Sequence, residues 1–146
     1  MTIRKTIVVA RPPATAFRVF CEEIGRWWPL KEGYSAGGDR AKEIFLEGHV
    51  GGRFFERFID GTEYELGRVT AYEPPSLVGF SWCSPRWEGP TRVEIRFVQD
   101  GDGTRVELEH SGWEQGPTML EIGKRFANGW ELVLSRFQLV SMGRTL

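Results

Sequence analysis

Cysteine, histidine and long apolar stretches are all scarce in this 146-residue sequence. Its two cysteines and two histidines form no metal-binding or redox motif, so we expect no metal and no cofactor. Cys21 and Cys83 are expected to be small core residues of a protein in the reducing cytoplasm. No apolar run approaches the ~20 residues that cross a membrane, and the first residues lack the apolar stretch of a signal peptide.

An excess of charge of one sign is also absent. Nineteen Lys and Arg residues oppose twenty Asp and Glu residues, which gives a net charge of −1. A nucleic acid or an acidic membrane surface would call for a basic patch, whereas the basic residues here are scattered along the chain. We therefore expect neither as a partner.

Aromatic residues, by contrast, are abundant. Six Trp, ten Phe and three Tyr make up 13% of a chain that has the length of one ordinary domain. No linker, low-complexity segment or repeat divides residues 1–146, so we predict one domain. So many rings in a small domain indicate a bulky core or an aromatic-lined pocket.

The N-terminal part predicts a strand followed by short helices. Residues 3–10 are rich in β-branched side chains, which favours a strand, and the prolines at 12 and 13 suit the first turn of a helix. Residues 26–29 leave room for one further turn, and the glycines between 30 and 40 predict a loop. The apolar face of the first helix, at steps of three and four, consists of Phe17, Phe20, Cys21 and Ile24.

The middle of the chain predicts strands separated by turn residues. The first four of these strands are 42–47, 53–59, 62–72 and 77–83. Two further segments, 92–97 and 105–109, alternate apolar with charged residues on either side of a turn at 100–103. This alternation is typical of an antiparallel sheet with one solvated face.

The C-terminal part predicts a long amphipathic helix that begins after Gly116 and Pro117. Its apolar stripe consists of Met119, Ile122, Phe126, Trp130, Val133, Phe137 and Val140. Gly129 lies inside the helix, where glycine costs ~1 kcal/mol relative to alanine, and marks close packing or a bend.

These elements together predict an α+β fold. The apolar face of the long helix can be buried only against the apolar face of the sheet, and a large antiparallel sheet twists and curls. We therefore predict a helix-grip architecture, in which a curved antiparallel sheet of six to seven strands wraps around the C-terminal helix. Two short helices are predicted between the first and second strands.

Several short segments, taken in order, carry a family resemblance along nearly the whole chain. They are residues 12–17 (PPATAF), 27–29 (WWP), 51–54 (GGRF), 67–75 with 80–82, 103–106 (GTRV), 110–113 (HSGW) and 129–134. This order resembles the helix-grip superfamily (SRPBCC) of START domains, birch-pollen-allergen-like proteins and polyketide cyclases. Within it, the sequence is most similar to the bacterial branch that resembles the C-terminal domain of the heat-shock protein 90 ATPase activator.

The resemblance implies a cavity between the sheet and the long helix that accepts apolar or amphipathic molecules. It implies no shared set of catalytic residues. The activator itself has a further N-terminal domain without a counterpart in these 146 residues, so a co-chaperone role is not the first expectation.

The first functional hypothesis is therefore the binding of an apolar or amphipathic small molecule in that cavity. The residues expected to contact the ligand are Trp28, Phe80, Trp82, Ile95, Leu108, His110, Phe126, Trp130 and Leu134. His110 continues the inward side of its strand, so it is either a hydrogen-bonded polar group at the edge of the core or a polar anchor for the ligand.

Two other functions stay open. One is an enzyme of cyclase or hydrolase type that acts on an aromatic or polyketide-like substrate, with His110 or Glu56 as the first acid–base candidates. The other is a protein-interaction module, of which a homodimer is one form, with the loop tryptophans or strand 53–59 as the contact surface. Both faces of that strand carry apolar rings, so it is either covered on both sides or exposed to a partner.

Two further motifs have a simple structural explanation. Glu56 is expected to be solvated, because a buried carboxylate would need pairing. Residues 33–37 match the G-x-S-x-G pattern of a hydrolase nucleophile, but no strand precedes and no helix follows the serine. We expect a plain glycine loop there, in a position to cap a pocket.

Overall fold

The computed structural model describes residues 1–144 and residue 146. The three helices are α1 (Pro13–Glu22), α2 (Ile24–Trp27) and α3 (Pro117–Ser141). Two short 3₁₀ turns, Leu30–Glu32 and Gly38–Arg40, lie before the second strand. The seven strands are β1 (Ile3–Val9), β2 (Ala41–Leu46), β3 (Arg53–Phe58), β4 (Glu63–Glu73), β5 (Leu77–Trp82), β6 (Thr91–Asp100) and β7 (Gly103–Ser111).

All seven strands form one antiparallel sheet in the order β1-β7-β6-β5-β4-β3-β2. Strands β2 to β7 follow one another as neighbours, and β1 adds to the far edge beside β7. The register shifts between β2 and β3, between β3 and β4, and between β4 and β5. Such irregularities bend strands and increase their twist, so this half of the sheet curls.

Gly67 allows β4 to approach β5 at the bend. A Cβ atom at this position would overlap the backbone carbonyl of Ser81. The register of β3 against β4 also shifts next to Gly67, between Phe54 and Phe55. The glycine therefore allows a close approach of two backbones that no side chain would permit.

The core lies between the inner face of the sheet, α1 and α3. Phe20 of α1 packs against Trp27, Phe97 and Phe137, with ring centroids 4.9 to 5.9 Å apart. The Trp27 indole N–H donates to the carbonyl of Val19 at 3.0 Å. Large rings with satisfied polar atoms thus fill the end of the molecule that contains α1.

Strand β3 is covered on both faces. Phe54, Glu56 and Phe58 lie on its inner side, and all three are buried. On the outer side, the Phe55 ring stacks on Phe45 at 5.1 Å. The Arg53 guanidinium also lies over the Phe55 ring, 3.9 Å from its centroid. The outward Phe55 ring is thus covered by its own neighbours, whereas Ile59, the other apolar residue predicted on this face, is exposed.

The predicted architecture is confirmed, including the two short helices between β1 and β2 and the long C-terminal helix. Cys21 is buried, as expected, but Cys83 is only half-buried at the end of β5. Within the described residues, no helix is both long enough and apolar enough to cross a bilayer.

Candidate functional site

A partly open cavity of about 550 Å³ lies between α3 and the curled half of the sheet. This volume falls in the range of small-molecule sites. Its lining comes from α3, from strands β3 to β5, and from the loops around residues 33–36 and 84–87. The lining residues are Trp28, Gly33, Tyr34, Ser35, Ala36, Glu56, Leu66, Trp82, Ser84, Trp87, Arg125, Phe126, Asn128, Gly129, Trp130 and Val133.

Trp82 is the centre of the aromatic lining. Its ring centroid lies 5.2 Å from that of Phe126, 5.5 Å from Trp28, 5.8 Å from Trp130 and 6.0 Å from Trp87. The Trp87 ring is close to parallel with Trp82, whereas Phe126 and Trp130 meet it edge-on. These rings present both faces and edges to the cavity, which suits contact with a planar ligand.

The glycine loop, residues 33–37, closes one side of the cavity. The indole N–H of Trp28 donates to the backbone carbonyl of Tyr34 at 2.8 Å. The Tyr34 ring lies against Gly129 of α3, where a Cβ atom would come within 3.0 Å of the ring. Gly129 therefore marks close packing of this loop on the helix, which was one of its two predicted explanations.

Among the described lining residues, Glu56 is the one with a carboxyl group, and it is only 1% exposed. Its two oxygens accept hydrogen bonds from the backbone N–H groups of Ala36 at 2.6 Å and Gly37 at 3.1 Å. Burial raises the pKa of Glu56, and the two N–H donors oppose that rise. The carboxylate thus ties the glycine loop to β3 while it lines the cavity.

The expectation that Glu56 is solvated is therefore wrong. The inward side of β3 contains Phe54, Glu56 and Phe58. The glycine loop, which is not part of the sheet, covers the Glu56 carboxylate there. Sequence pattern alone missed this burial because the hydrogen-bond donors are backbone groups about 20 residues away. Buried carboxylates are tolerated where such donors satisfy them.

His110 lies behind the cavity wall with no exposed surface. The Trp130 indole N–H donates to its Nδ1 at 3.1 Å, which leaves the proton on Nε2. Nε2 then donates to Thr91 Oγ1 at 2.7 Å, and Thr91 donates to the carbonyl of Trp82 at 2.9 Å. Desolvation lowers the pKa of His110 to about 3, so the imidazole is neutral at physiological pH.

Four of the nine residues predicted to contact a ligand line the cavity, namely Trp28, Trp82, Phe126 and Trp130. The other five, Phe80, Ile95, Leu108, His110 and Leu134, are buried in the core and are not part of the lining. The structure thus gathers the three tryptophans and Phe126 of this set at the cavity. His110 itself is fully buried, and both of its ring nitrogens are hydrogen-bonded.

Sequence reasoning did not select several lining residues. Tyr34 and Ala36 belong to the glycine loop, for which a position capping a pocket was expected, and Leu66 lies on β4. Arg125 and Asn128 are exposed residues of α3 at the cavity rim. The signal that could have found Arg125 is its helical step of four from Gly129, and Asn128 lies a step of three from Arg125.

Neither the serine-nucleophile motif nor a cluster of metal ligands is formed in the described residues. Ser35 Oγ accepts a hydrogen bond from the Gly38 N–H at 3.0 Å, and no histidine bonds to it there. The loop around it is neither preceded by a buried strand nor followed by a helix of more than one turn. Within residues 1–144 and 146, no three His, Cys, Asp or Glu side chains are grouped to hold a metal ion.

Comparison with protein families gives a match over most of the chain. The model of the family described as Activator of Hsp90 ATPase homolog 1-like protein matches residues 10–140. None of the curated proteins compared with the chain matches it.

Solved structures share the fold. Protein MLL2253 from Mesorhizobium loti is 18% identical with full coverage of both chains and a TM-score of 0.75. CalU16 from Micromonospora echinospora is 23% identical, with 92% of this chain and 72% of that chain covered and a TM-score of 0.63. The anthrahydroquino-gamma-pyrone synthase Txn09, solved in a complex, is 29% identical, with 94% of each chain covered and a TM-score of 0.59.

Proposed function

The chain belongs to the Activator of Hsp90 ATPase homolog 1-like family, and on that premise we propose that it binds an apolar or amphipathic small molecule in its aromatic cavity. One observation carries the proposal. A cavity of about 550 Å³ is lined by six aromatic side chains and contains a single buried carboxylate. Apolar walls with a few placed polar groups are typical of small-molecule sites.

The aromatic walls are able to supply the binding free energy. A drug-sized ligand buries a few hundred Å² of apolar surface, which contributes several kcal/mol before the entropy of association is subtracted. The ligand contacts proposed on this basis are Trp28, Trp82, Phe126 and Trp130 from the sequence prediction, with Tyr34, Trp87 and Glu56 added. Phe80, Ile95, Leu108, His110 and Leu134 support these residues from the core.

Native mass spectrometry of freshly purified protein tests the proposal. A small molecule retained at fixed stoichiometry, and identified after denaturing release, is the expected result. The same spectrum reports the oligomeric state. Protein that carries no ligand and fails to bind any aromatic compound in calorimetric titrations would contradict the proposal.

Trp87 offers a mutational test of the binding site. It is half-buried in the loop after β5, at the edge of the core. Trp87→Ala is expected to weaken binding of an aromatic ligand about tenfold through lost stacking. Tyr72→Ala is the matched control, since Tyr72 is half-buried against Phe17 and does not line the cavity. Equal losses of affinity in both variants would count against the assigned site.

An enzyme of cyclase type is the second candidate, because Glu56 places a carboxyl group of raised pKa inside the cavity. A synthase among the solved relatives, at 29% identity, supports this alternative. Glu56 would then act as the acid or base toward an aromatic or polyketide-like substrate. Glu56→Gln should abolish turnover of such a substrate and spare its binding, and unchanged turnover would rule out this role.

A cytoplasmic location is part of the proposal. Both cysteines are free thiols, and Cys21 is buried where burial raises its pKa above the usual range. Free thiols are typical of proteins in reducing compartments.

A further inference from the structure

Glu56 is a buried acid without a positive partner in the described part of the chain. Its sequence neighbours Arg53 and Arg57 lie on the outer side of β3 and pair with Glu63 at 2.8 and 3.0 Å. The alternation of the strand therefore separates the carboxylate from both guanidinium groups. Desolvation is the largest cause of its raised pKa, and the groups that oppose it are two backbone N–H donors, not a cation.

The carboxylate also has unused acceptor capacity. An ionised carboxylate offers about four lone-pair positions. The described residues occupy two of them, through the N–H groups of Ala36 and Gly37. Glu56 lines the cavity, so a donor on a bound molecule would meet these remaining acceptor positions from the cavity side.

The rest of the lining favours a cation in the same place. Six aromatic side chains share the cavity with Glu56, namely Trp28, Tyr34, Trp82, Trp87, Phe126 and Trp130. The faces of such rings carry partial negative charge and attract organic ammonium groups, tryptophan most strongly. A carboxylate that shares a cavity with aromatic rings is therefore complementary to a protonated amine on an apolar body.

The single basic residue of the lining does not supply that charge. Arg125 is exposed on α3 at the rim, where water and salt screen its charge. Glu56, in contrast, is 1% exposed. The cavity thus has a poorly screened negative group inside and a well-screened positive group at its mouth.

We propose that the cavity selects aromatic ligands that carry a protonated amine, with the ammonium group on the Glu56 carboxylate and the apolar body among the tryptophan rings. This ligand class rests on the small-molecule binding function proposed above. The amine would donate to the free acceptor positions of Glu56 and place its positive charge beside a carboxylate that has no cationic partner among the described residues.

Three naphthalene probes of matched shape test the ligand class by calorimetric titration at neutral pH. They are 2-naphthylmethylammonium, 2-naphthylmethanol and 2-naphthoate, which differ in charge. The expected order of affinity is cation, alcohol, anion, with at least a tenfold preference for the cation over the alcohol. In Glu56→Gln, the cation should lose that preference while the alcohol keeps its affinity within about threefold.

The control variant is Glu109→Gln, the same substitution at an exposed carboxylate of β7 that does not line the cavity. It should preserve the preference for the cation over the alcohol. Should Glu56→Gln fail to fold, the amide N–H signals of Ala36 and Gly37 in the wild-type protein provide the second measurement. The ammonium probe should shift both signals more than the alcohol does, because these two N–H groups donate to the same carboxylate that would bind the ammonium group.

The outcomes separate the two proposals. Binding of all three probes with equal affinity, or a preference for the alcohol or the anion, overturns the assigned ligand class and leaves the binding function standing. A cation preference that survives in Glu56→Gln overturns the role of Glu56. Absence of binding by every probe contradicts the binding function, and the ligand class with it.

Discussion

The indole N–H of Trp130 donates to Nδ1 of His110 across the interface between α3 and the sheet, at 3.1 Å. The same imidazole stacks on Trp82, with ring centroids 5.5 Å apart and an interplanar angle of 12°. His110 therefore fixes two of the rings that line the cavity without being part of the lining itself. Both of its ring nitrogens are bonded to protein groups, so we expect His110 to position these rings.

Removal of His110 is expected to destabilise the protein. His110→Ala would leave the Trp130 N–H without its acceptor and create a cavity in the core, at a cost of about 2–4 kcal/mol. His49→Ala is the matched control, since His49 is exposed and its removal should change stability by less than about 0.5 kcal/mol. Urea unfolding of both variants measures the difference, and equal stabilities would show that the hydrogen-bonded chain contributes little.

The low pKa of His110 makes stability depend on pH. In the unfolded chain the imidazole has its ordinary pKa of about 6.5, whereas in the folded protein the value is about 3. The unfolded state binds the extra proton between these values, so the contribution to stability is complete above pH 6.5 and is lost as the pH falls toward 3. Between pH 7 and pH 5 the loss is about 2 kcal/mol.

Urea unfolding at several pH values checks this dependence. Wild type and His49→Ala should both show the loss, because both retain His110. His110→Gln keeps one donor and one acceptor but does not titrate, so this part of the pH dependence should disappear. If His110→Gln loses as much stability between pH 7 and pH 5 as wild type does, His110 is not the group responsible for the pH dependence.

Gly129 and Tyr34 are expected to be energetically coupled. Alanine at position 129 gains ~1 kcal/mol of helix propensity, but its Cβ would come within 3.0 Å of the Tyr34 ring. Gly129→Ala should therefore raise the free energy of unfolding of a Tyr34→Ala variant by about 1 kcal/mol. In the wild-type background it should raise this free energy by less, or lower it. A double-mutant cycle from urea unfolding measures the coupling, and additive effects would show that the loop does not pack on the helix.

Gly67 is expected to tolerate no side chain. A Cβ atom there would overlap the carbonyl oxygen of Ser81, so the backbone of β4 or β5 would have to move. Gly67→Ala should cost more than about 3 kcal/mol in thermal or urea unfolding. Gly51→Ala is the control, since that position has φ +86° and open space around it, and should cost about 1–2 kcal/mol. Similar costs at both sites would argue against the close approach of the strands.

The architecture could be predicted from sequence where hydrophobic period and burial agree. Val93, Ile95 and Phe97 alternate with polar residues and are buried on one face of β6, as predicted. The apolar stripe of α3 likewise contains the buried Trp130 and Phe137. The spacing of apolar residues was enough to predict these elements, because each has one face in the core and one in water.

The site could be predicted only in part, because its polar contacts join distant segments. The inward direction of His110 followed from strand alternation, but its partners Trp130 and Thr91 lie 20 and 19 residues away. Glu56 escaped prediction because Phe55 is buried on the outer face under Phe45 and Arg53, which hides the alternation of β3. Such coverage depends on tertiary packing that a periodic pattern does not encode.

The central claim is that an aromatic molecule occupies the cavity, and the six indole N–H signals of a ¹H–¹⁵N spectrum test it most directly. Titration with 2-naphthylmethanol should shift the signals of Trp28, Trp82, Trp87 and Trp130, which line the cavity. The signals of Trp27 and Trp113 should move least, because their N–H groups are buried on the carbonyls of Val19 and His110. Shifts confined to Trp27 and Trp113, or no shifts at saturating probe, would contradict the account.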